Sequence, residues 1–400
     1  MSLTRNEEYQ KCLEYLDEKE VIEFLSELIR VDSVNPPGNE KNAALLASKK
    51  LGECGIASEV MDVDRKELNR ANLYAKMGDP SQGPTLLYSG HFDVVPAGDG
   101  WVHDPFGAEI EGDLMWGRGT SDMKAGDAAM IMAMCILKRA GVPLKGTLAF
   151  LGTAGEETGL VGARAFVEER GAENIDALAI SEASVGDIYI AQKGALWLRF
   201  ISKGKRAHGG LPEEGVNALA NMIKFTERLQ EKFRFMVTEN KLLTPPTLNL
   251  TGMHAGELTN IIPDLCEAVV DIRTIPGNPH SELLTQIEGI LAEVKKEDET
   301  VDISIKVELN LTSISTELDH PFIQSAVESY KGVFNREPAI KGVTYGTDAV
   351  PFREVSPDLP LVIYWPGDST RNNKLDESVE ISSVIDSTKF YIALALEYLK

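Results

Sequence analysis

The chain has 400 residues, 43% of them hydrophobic, and carries 62 acidic against 40 basic side chains for a formal net charge of -22. That charge repels nucleic acid and acidic membrane surfaces, and no basic block offsets it. The length exceeds one ordinary core and predicts two domains.

The start, MSLTRNEEYQKCLEYLDEKE, is charged, and no run in the chain approaches the roughly 18 apolar residues of a membrane span; a soluble, cytoplasmic protein is expected. From EVIEFLSELIRV (residues 20 to 31) onward, helical and strand patterns alternate. A second helix near 41 to 53 is followed by the strands ANLYAKM and PTLLYSG, a helix over 124 to 140, the strand GTLAFLG, another helix and the strand ALAISEA. This is an α/β layer pattern. Ligands in such sheets gather at the carboxyl ends of strands. His91 and Asp93 stand there after TLLYSG, Glu156 and Glu157 after TLAFLG, and Glu182 after ALAIS.

Between about 191 and 314 the pattern becomes strand (194 to 203), helix (215 to 232), two strands (247 to 253 and 264 to 273), helix (280 to 297) and strand (301 to 309). This βαββαβ unit is large enough to be its own domain. Beyond it, PFIQSAVESYKGVF and SSVIDSTKFYIALALEYL have helical apolar spacing and flank LPLVIYWPGD, an apolar strand stopped by Pro-Gly. The first domain resumes, so residues 1–190 and 315–400 are expected to form one domain around an insertion at 191–314. Cys12, Cys54, Cys135 and Cys266 stand far apart with no CxxC spacing and are expected to be reduced, buried small hydrophobes.

Four short segments carry the chemistry. SGHFDVVP places His91 and Asp93 at alternate positions, which share one face of a strand. Asp93 can then hydrogen-bond one imidazole nitrogen while the other binds metal. GRGTSDMKAG sets Asp122 in a Gly-rich turn before a helix, where a plain capping aspartate is the alternative. GTAGEETG puts Glu156 beside Glu157. Neighbours in a turn point in different directions, so the pair divides two tasks, or else simply begins a helix whose dipole favours negative charge. One histidine with Asp122, Glu157 and Glu182 is a nitrogen and oxygen donor set suited to zinc, cobalt or manganese.

Together these segments resemble the M20 family of metallopeptidases and deacylases, the group of acetylornithine deacetylase, succinyl-diaminopimelate desuccinylase, aminoacylase and glutamate carboxypeptidase. The likeness runs nearly end to end, through SVNPPGNE, SGHFDVVP, WVHDPF, GRGTSDMKAG, GTAGEETG, ISEAS, KRAHGGLPEEGVNA, NIIPD, DIR and PGD. It implies an α/β fold with a mixed-sheet, zinc-peptidase-like catalytic domain and an inserted βαββαβ lid and dimerisation domain. It implies that His91 and Glu182 hold one Zn2+, that Asp122 bridges, that Glu157 holds a second, and that Asp93 and Glu156 belong to the catalytic set; Co2+ or Mn2+ could substitute. A divalent ion lowers the pKa of its water toward about 7. Glu156 would take that water's proton and later hand it to the departing amine.

By the same resemblance His208 reaches across a homodimer to stabilise an oxyanion, and Asn260, Arg273 and Thr347 face the substrate. Arg273 would offer a bidentate fork to a carboxylate; without the resemblance it reads as a surface ion pair. The implied substrate is an N-acyl amino acid or a small peptide. Glu182 tends to be glutamate in the deacylases and carboxypeptidases and aspartate in the dipeptidases and aminopeptidases. Lys193 stands where the desuccinylases tend to carry arginines, so that label does not transfer.

One segment departs from the family pattern. Where relatives carry Ala-His-x-x-Asp-Glu near the C-terminus, aligning Asp376 and Glu377 places Asn372 and Asn373 over Ala and His. An amide oxygen is a weaker donor than imidazole for zinc and suits harder cations such as manganese. Three outcomes are open: one tightly held metal, a second ion held partly by Asn373 or a water, or binding without catalysis.

Overall fold

The computed structural model describes residues 7–63, 69–365, 367 and 371–400. Pro366 and Asp368, which end the strand expected in LPLVIYWPGD, lie outside the described residues. The chain divides into two compact units, one of Met1–Ala191, Ser315–Lys341 and Thr347–Lys400, the other of Gln192–Ile314 and Gly342–Gly346.

The first unit is built on a mixed sheet. Its main path runs Ser58–Asp62, Ala71–Gly78, Thr147–Thr153, Thr85–His91, Ala177–Ile180, Leu361–Ile363, Ile188–Gln192 and Ile314–Ser315. The four central strands, from Thr147–Thr153 to Leu361–Ile363, are mutually parallel. All seven residues of TLAFLGT and all four of ALAI are buried, as continuous apolar strands covered on both faces are. Because the central strands are parallel, the segments after His91, Thr153, Ile180 and Ile363 all leave from one edge of the sheet.

The Lys124–Ala140 helix is buried along almost its whole length. Gly90 lets its first turn approach the sheet: a Cβ there would lie 2.1 Å from Asp127 Oδ1. No described helix is long and apolar enough to cross a membrane.

The second unit holds a four-stranded antiparallel sheet in the order Thr247–Ala255, Leu265–Thr274, Gly194–Lys203, Asp302–Leu311. LCEAVVDIRT alternates, sending Cys266, Ala268, Val270, Ile272 and Thr274 inward. The first four of these pack with Met222, Phe225, Ile287 and Val294 of the Ala218–Lys232 and His280–Glu297 helices. The first of these helices begins at Ala218 rather than 215, because Asn217 Oδ1 caps it by accepting from Leu219 and Ala220 N–H.

The cysteine expectation needs correction. Cys54 and Cys135 form a disulfide with Cα atoms 5.3 Å apart, while Cys12 and Cys266 are free and buried. The end of the Glu40–Glu53 helix meets the Lys124–Ala140 helix, a proximity concealed by 81 residues of separation.

Lys124 is fully buried, and its Nζ donates to the carbonyls of Leu28 (3.0 Å) and Val31 (2.8 Å). Those carbonyls end the Glu18–Arg30 helix; that of Leu28 also accepts from Val31 N–H at 3.2 Å, so Lys124 adds a second donor there and a donor to the Val31 carbonyl. Burial pushes the Lys124 amine down to about 8, against about 10.4 for a free lysine. Between these values the unfolded chain binds more protons, so stability should rise with pH across that window. In Lys124→Met that rise should disappear, and loss of the two Lys124 hydrogen bonds should cost about 1–3 kcal/mol. Denaturant unfolding at several pH values from about 8 to about 10 checks both effects.

Candidate metal centre

The turn GTAGEETG leaves the sheet after Thr153 and reverses at Gly155, whose φ of +73 suits glycine. Asp93 holds this turn. Its Oδ1 accepts from Gly155 N–H (2.9 Å) and Glu156 N–H (3.1 Å), and its Oδ2 from Glu157 N–H (3.2 Å) and the Asn35 amide (2.8 Å). Asn35, in SVNPPGNE, also reaches the Thr158 hydroxyl at 2.9 Å. The expected Asp93–His91 pairing takes a different form. His91 Nδ1 lies 2.9 Å from the Asp93 backbone carbonyl and 3.6 Å from its carboxylate, which is occupied with backbone donors.

The other ring nitrogen of His91 faces carboxylates, 3.1 Å from Asp122 Oδ1 and 3.5 Å from Glu182 Oε1. Two overlapping groups have ligand atoms within 4.8 Å of one another: His91, Asp122 and Glu157, and His91, Glu156 and Glu182. The donors are one imidazole and four carboxylates, and Glu157 Oε1 is buried without a hydrogen-bond partner.

Burial and crowding shape the electrostatics. Burial pushes Glu156 well above the ordinary carboxylate range and raises Glu182 as well. Burial, then the Asp122 charge, raises Glu157 to about 8. For His91 burial acts downward, but hydrogen bonds to Asp122 and Glu182 outweigh it and hold the imidazole well above its usual value. Carboxylates that hold protons and an imidazole that will not release one mark a place short of positive charge, which a divalent cation fits.

Asp122 is presented by a turn that the C-terminal segment holds in place. Glu377, fully buried, accepts at Oε1 from the N–H groups of Gly119 (3.1 Å), Ser121 (2.7 Å) and Asp122 (3.0 Å). Its Oε2 pairs with the buried Arg118 at 2.5 Å. Asn372 and Asn373 both lie at Asp122: their amide nitrogens are 3.2 and 3.5 Å from its Oδ2. Asn373 has a left-handed φ of 61, which asparagine tolerates. In this arrangement the amide nitrogen of each residue, rather than its oxygen, faces the aspartate.

The family model described as "Peptidase family M20/M25/M40" matches residues 87–397. The chain belongs to the M20 peptidase family. It is 25% identical over 412 aligned positions to a probable succinyl-diaminopimelate desuccinylase of Staphylococcus epidermidis, covering 96% of this chain and 99% of that one. Among solved structures, an M20 metallo-carboxypeptidase of Sulfolobus solfataricus superposes with a TM-score of 0.79 at 19% identity, over 96% of this chain and 99% of that one. A dinuclear metal-binding M20 peptidase of Bacillus subtilis gives 0.71 at 18% identity, over 96% and 98%. The chain is therefore an M20-type metallohydrolase, with the family's α/β catalytic fold.

The remaining M20-implied residues are distributed between the two units. His208 is exposed in a two-residue strand paired with Ile261–Ile262, its Nδ1 accepting from Gly210 N–H at 3.0 Å. Asn260 adjoins the same ladder, its carbonyl accepting from Gly209 N–H at 2.8 Å. The Arg273 fork is engaged by Asp271, two residues earlier on the same strand face, at 2.8 and 3.1 Å. Thr347, in the first unit, is buried, and its hydroxyl accepts from Ala349 N–H at 3.2 Å.

Three residues of the centre were not singled out from the sequence: Asn35, Glu377 and Asp348. Asp348 accepts from Thr153, the residue paired with His91 across the sheet, at 2.5 Å, and burial raises its carboxyl to about 7. Its signal was present in YGTDAVPF, one place after Thr347.

Removing Glu377 leaves Arg118 buried and unpaired and frees the Asp122 turn. Glu377→Ala should cost about 3–5 kcal/mol of stability and lower metal affinity about 10- to 100-fold, read by denaturant unfolding and by metal titration of the folded variant.

Proposed function

We propose that this M20 hydrolase cleaves an amide bond, removing the acyl group from an N-acyl amino acid or releasing a C-terminal amino acid from a small peptide. The observation that carries the reading is the pair of overlapping donor groups centred on His91. His91, Asp122 and Glu182 would hold one divalent ion, preferably zinc, and Asp122 with Glu157 a second. The bound metal supplies the positive charge that acidifies a water and polarises the scissile carbonyl.

The protein's own groups then move the protons. Glu156 is grouped with His91 and Glu182 but belongs to neither proposed ion site, so once a cation satisfies the neighbouring carboxylates it would be the group to accept a proton from the attacking water. A carbon–oxygen bond forms at the amide carbon, the carbon–nitrogen bond breaks, and Glu156 returns its proton to the departing nitrogen. Asp93 keeps Glu156 and Glu157 apart in function by fixing the backbone of both. Glu182 in place of aspartate favours the deacylase and carboxypeptidase side of the family.

The second unit would act as lid and dimerisation domain. Its sheet ends in two edge strands, Thr247–Ala255 and Asp302–Leu311, whose outer sides no further described strand covers and which could pair with another copy, and its His208 is exposed as a residue serving a partner's site must be.

Glu156→Gln keeps the side-chain volume and removes the base. Turnover on a panel of N-acyl amino acids and dipeptides should fall about 100- to 10,000-fold while metal content per chain stays unchanged. Activity that survives the substitution would overturn the assigned base. The two asparagine amide nitrogens at Asp122 favour one competing reading, a chain that binds these ligands without hydrolysing them. In Asn373→His the second ion should bind about tenfold or more tightly, since a second imidazole is the better zinc donor. Any metal-dependent turnover in the unsubstituted chain rules out the binding-only reading.

A further inference from the structure

The turn that carries Glu156 and Glu157 rests against a buried arginine. The Ala71–Gly78 strand pairs antiparallel with Thr147–Thr153, Leu73 opposite Gly152, and continuing that register one step past each end sets Arg70 opposite Gly155. Arg70 and Asn72 stand at alternate positions and share a face. Both reach the turn. Asn72 Oδ1 accepts from Ala154 N–H at 3.0 Å, and its amide donates to the Gly162 carbonyl at 2.8 Å.

Arg70 meets the turn by fit rather than by hydrogen bonding. A Cβ on Gly155 would lie 2.1 Å from its Nη2, and a Cβ on Gly38, in SVNPPGNE, 2.7 Å from its Nε. The guanidinium therefore abuts both the turn bearing the two glutamates and the segment whose Asn35 holds Asp93. Among the described residues its one side-chain hydrogen bond is the 2.9 Å ion pair from Nη2 to the buried Glu40, and Nε is buried without a partner. An arginine has five donors, and a buried donor left unmet is costly. Replacing a buried ion pair by apolar residues is often neutral or stabilising, so stability alone does not account for Arg70.

We infer that Arg70 is a positioning residue for Glu156 and Glu157. Asp93 holds the turn by its N–H groups, and the planar guanidinium is the surface against which the Gly155 α-carbon stops. Together they fix where the next two side chains leave the backbone. Without Arg70 the turn can settle into the vacated space with its N–H bonds intact. A small displacement is enough, since a misplacement of about 1 Å costs on the order of 100-fold in rate. The role rests on the proposed assignment of Glu156 as base and Glu157 as metal ligand.

The test compares Arg70→Met, Arg70→Lys and Glu40→Gln with the unsubstituted chain. Thermal melts, metal titration of the folded protein and turnover on the panel of N-acyl amino acids and dipeptides are read for each. Arg70→Met should lower kcat about 10- to 100-fold with KM within about twofold, and should weaken the second ion about tenfold or more. Arg70→Lys keeps the charge but not the planar group and should fall as far; should Arg70→Met fail to fold, it carries the comparison. Glu40→Gln breaks the same ion pair with the guanidinium still in place, and should keep kcat and metal affinity even where its melting temperature drops. Equal losses in Glu40→Gln and Arg70→Met would mean that the pair acts only through stability and would overturn the inference. So would unchanged kcat and metal affinity in either Arg70 variant. If the unsubstituted chain turns over nothing, the proposed function fails by itself, and the metal titrations decide whether Arg70 positions the turn.

Discussion

The centre depends on a single constraint: several carboxylates must be kept close together in a buried place. Asp93 helps by giving its lone pairs to three backbone N–H groups and the Asn35 amide, which hold the turn in place. The same bonds fix the backbone of Glu156 and Glu157, so the two neighbours leave the chain in set directions. The turn is thus organised around one acceptor.

A second acceptor of the same kind works on the opposite flank. Glu377 collects the N–H groups of Gly119, Ser121 and Asp122 as Asp93 collects those of the GTAGEETG turn. Breaking a buried pair such as Arg118–Glu377 leaves an uncompensated charge, so the C-terminal segment is tied to the Asp122 turn by more than packing. Asp376 adds to this, its Oδ1 accepting from the N–H groups of Val102 and His103. The Asp-Glu pair after the asparagines therefore holds two separate loops, and it holds them whatever residue stands at position 373.

Strand ends and their polar residues were legible in the sequence because apolar runs such as TLAFLGT and ALAI are continuous and stop at charged residues. The inserted unit was legible from the alternation in LCEAVVDIRT and the helical spacing around it. What could not be read there is partnership across long separations. The Cys54–Cys135 disulfide, the reach of Lys124 to the carbonyls of Leu28 and Val31, and the grip of Glu377 on the Asp122 turn all join residues that no local pattern relates. Asp93 shows a subtler limit. Its spacing from His91 correctly placed both at one strand end, but spacing cannot say whether a carboxylate spends its lone pairs on an imidazole or on backbone donors.

The asparagine at position 373 changes less of the centre than a lost ligand first suggests. A ligating imidazole is neutral, as is an amide, so the balance between cation and carboxylates is set by Asp122, Glu156, Glu157 and Glu182 in either case. What changes is donor strength and geometry. An amide oxygen suits a harder ion than zinc, and here the amide must also rotate, since its nitrogen now faces Asp122. When a cation takes the charge of Asp122, the electrostatic reason for presenting that nitrogen goes, and the oxygen becomes the better face to turn inward. On the proposed assignment, position 373 would govern how firmly a second ion is held and which ion it is, while the overlapping donor groups around His91 are complete without it.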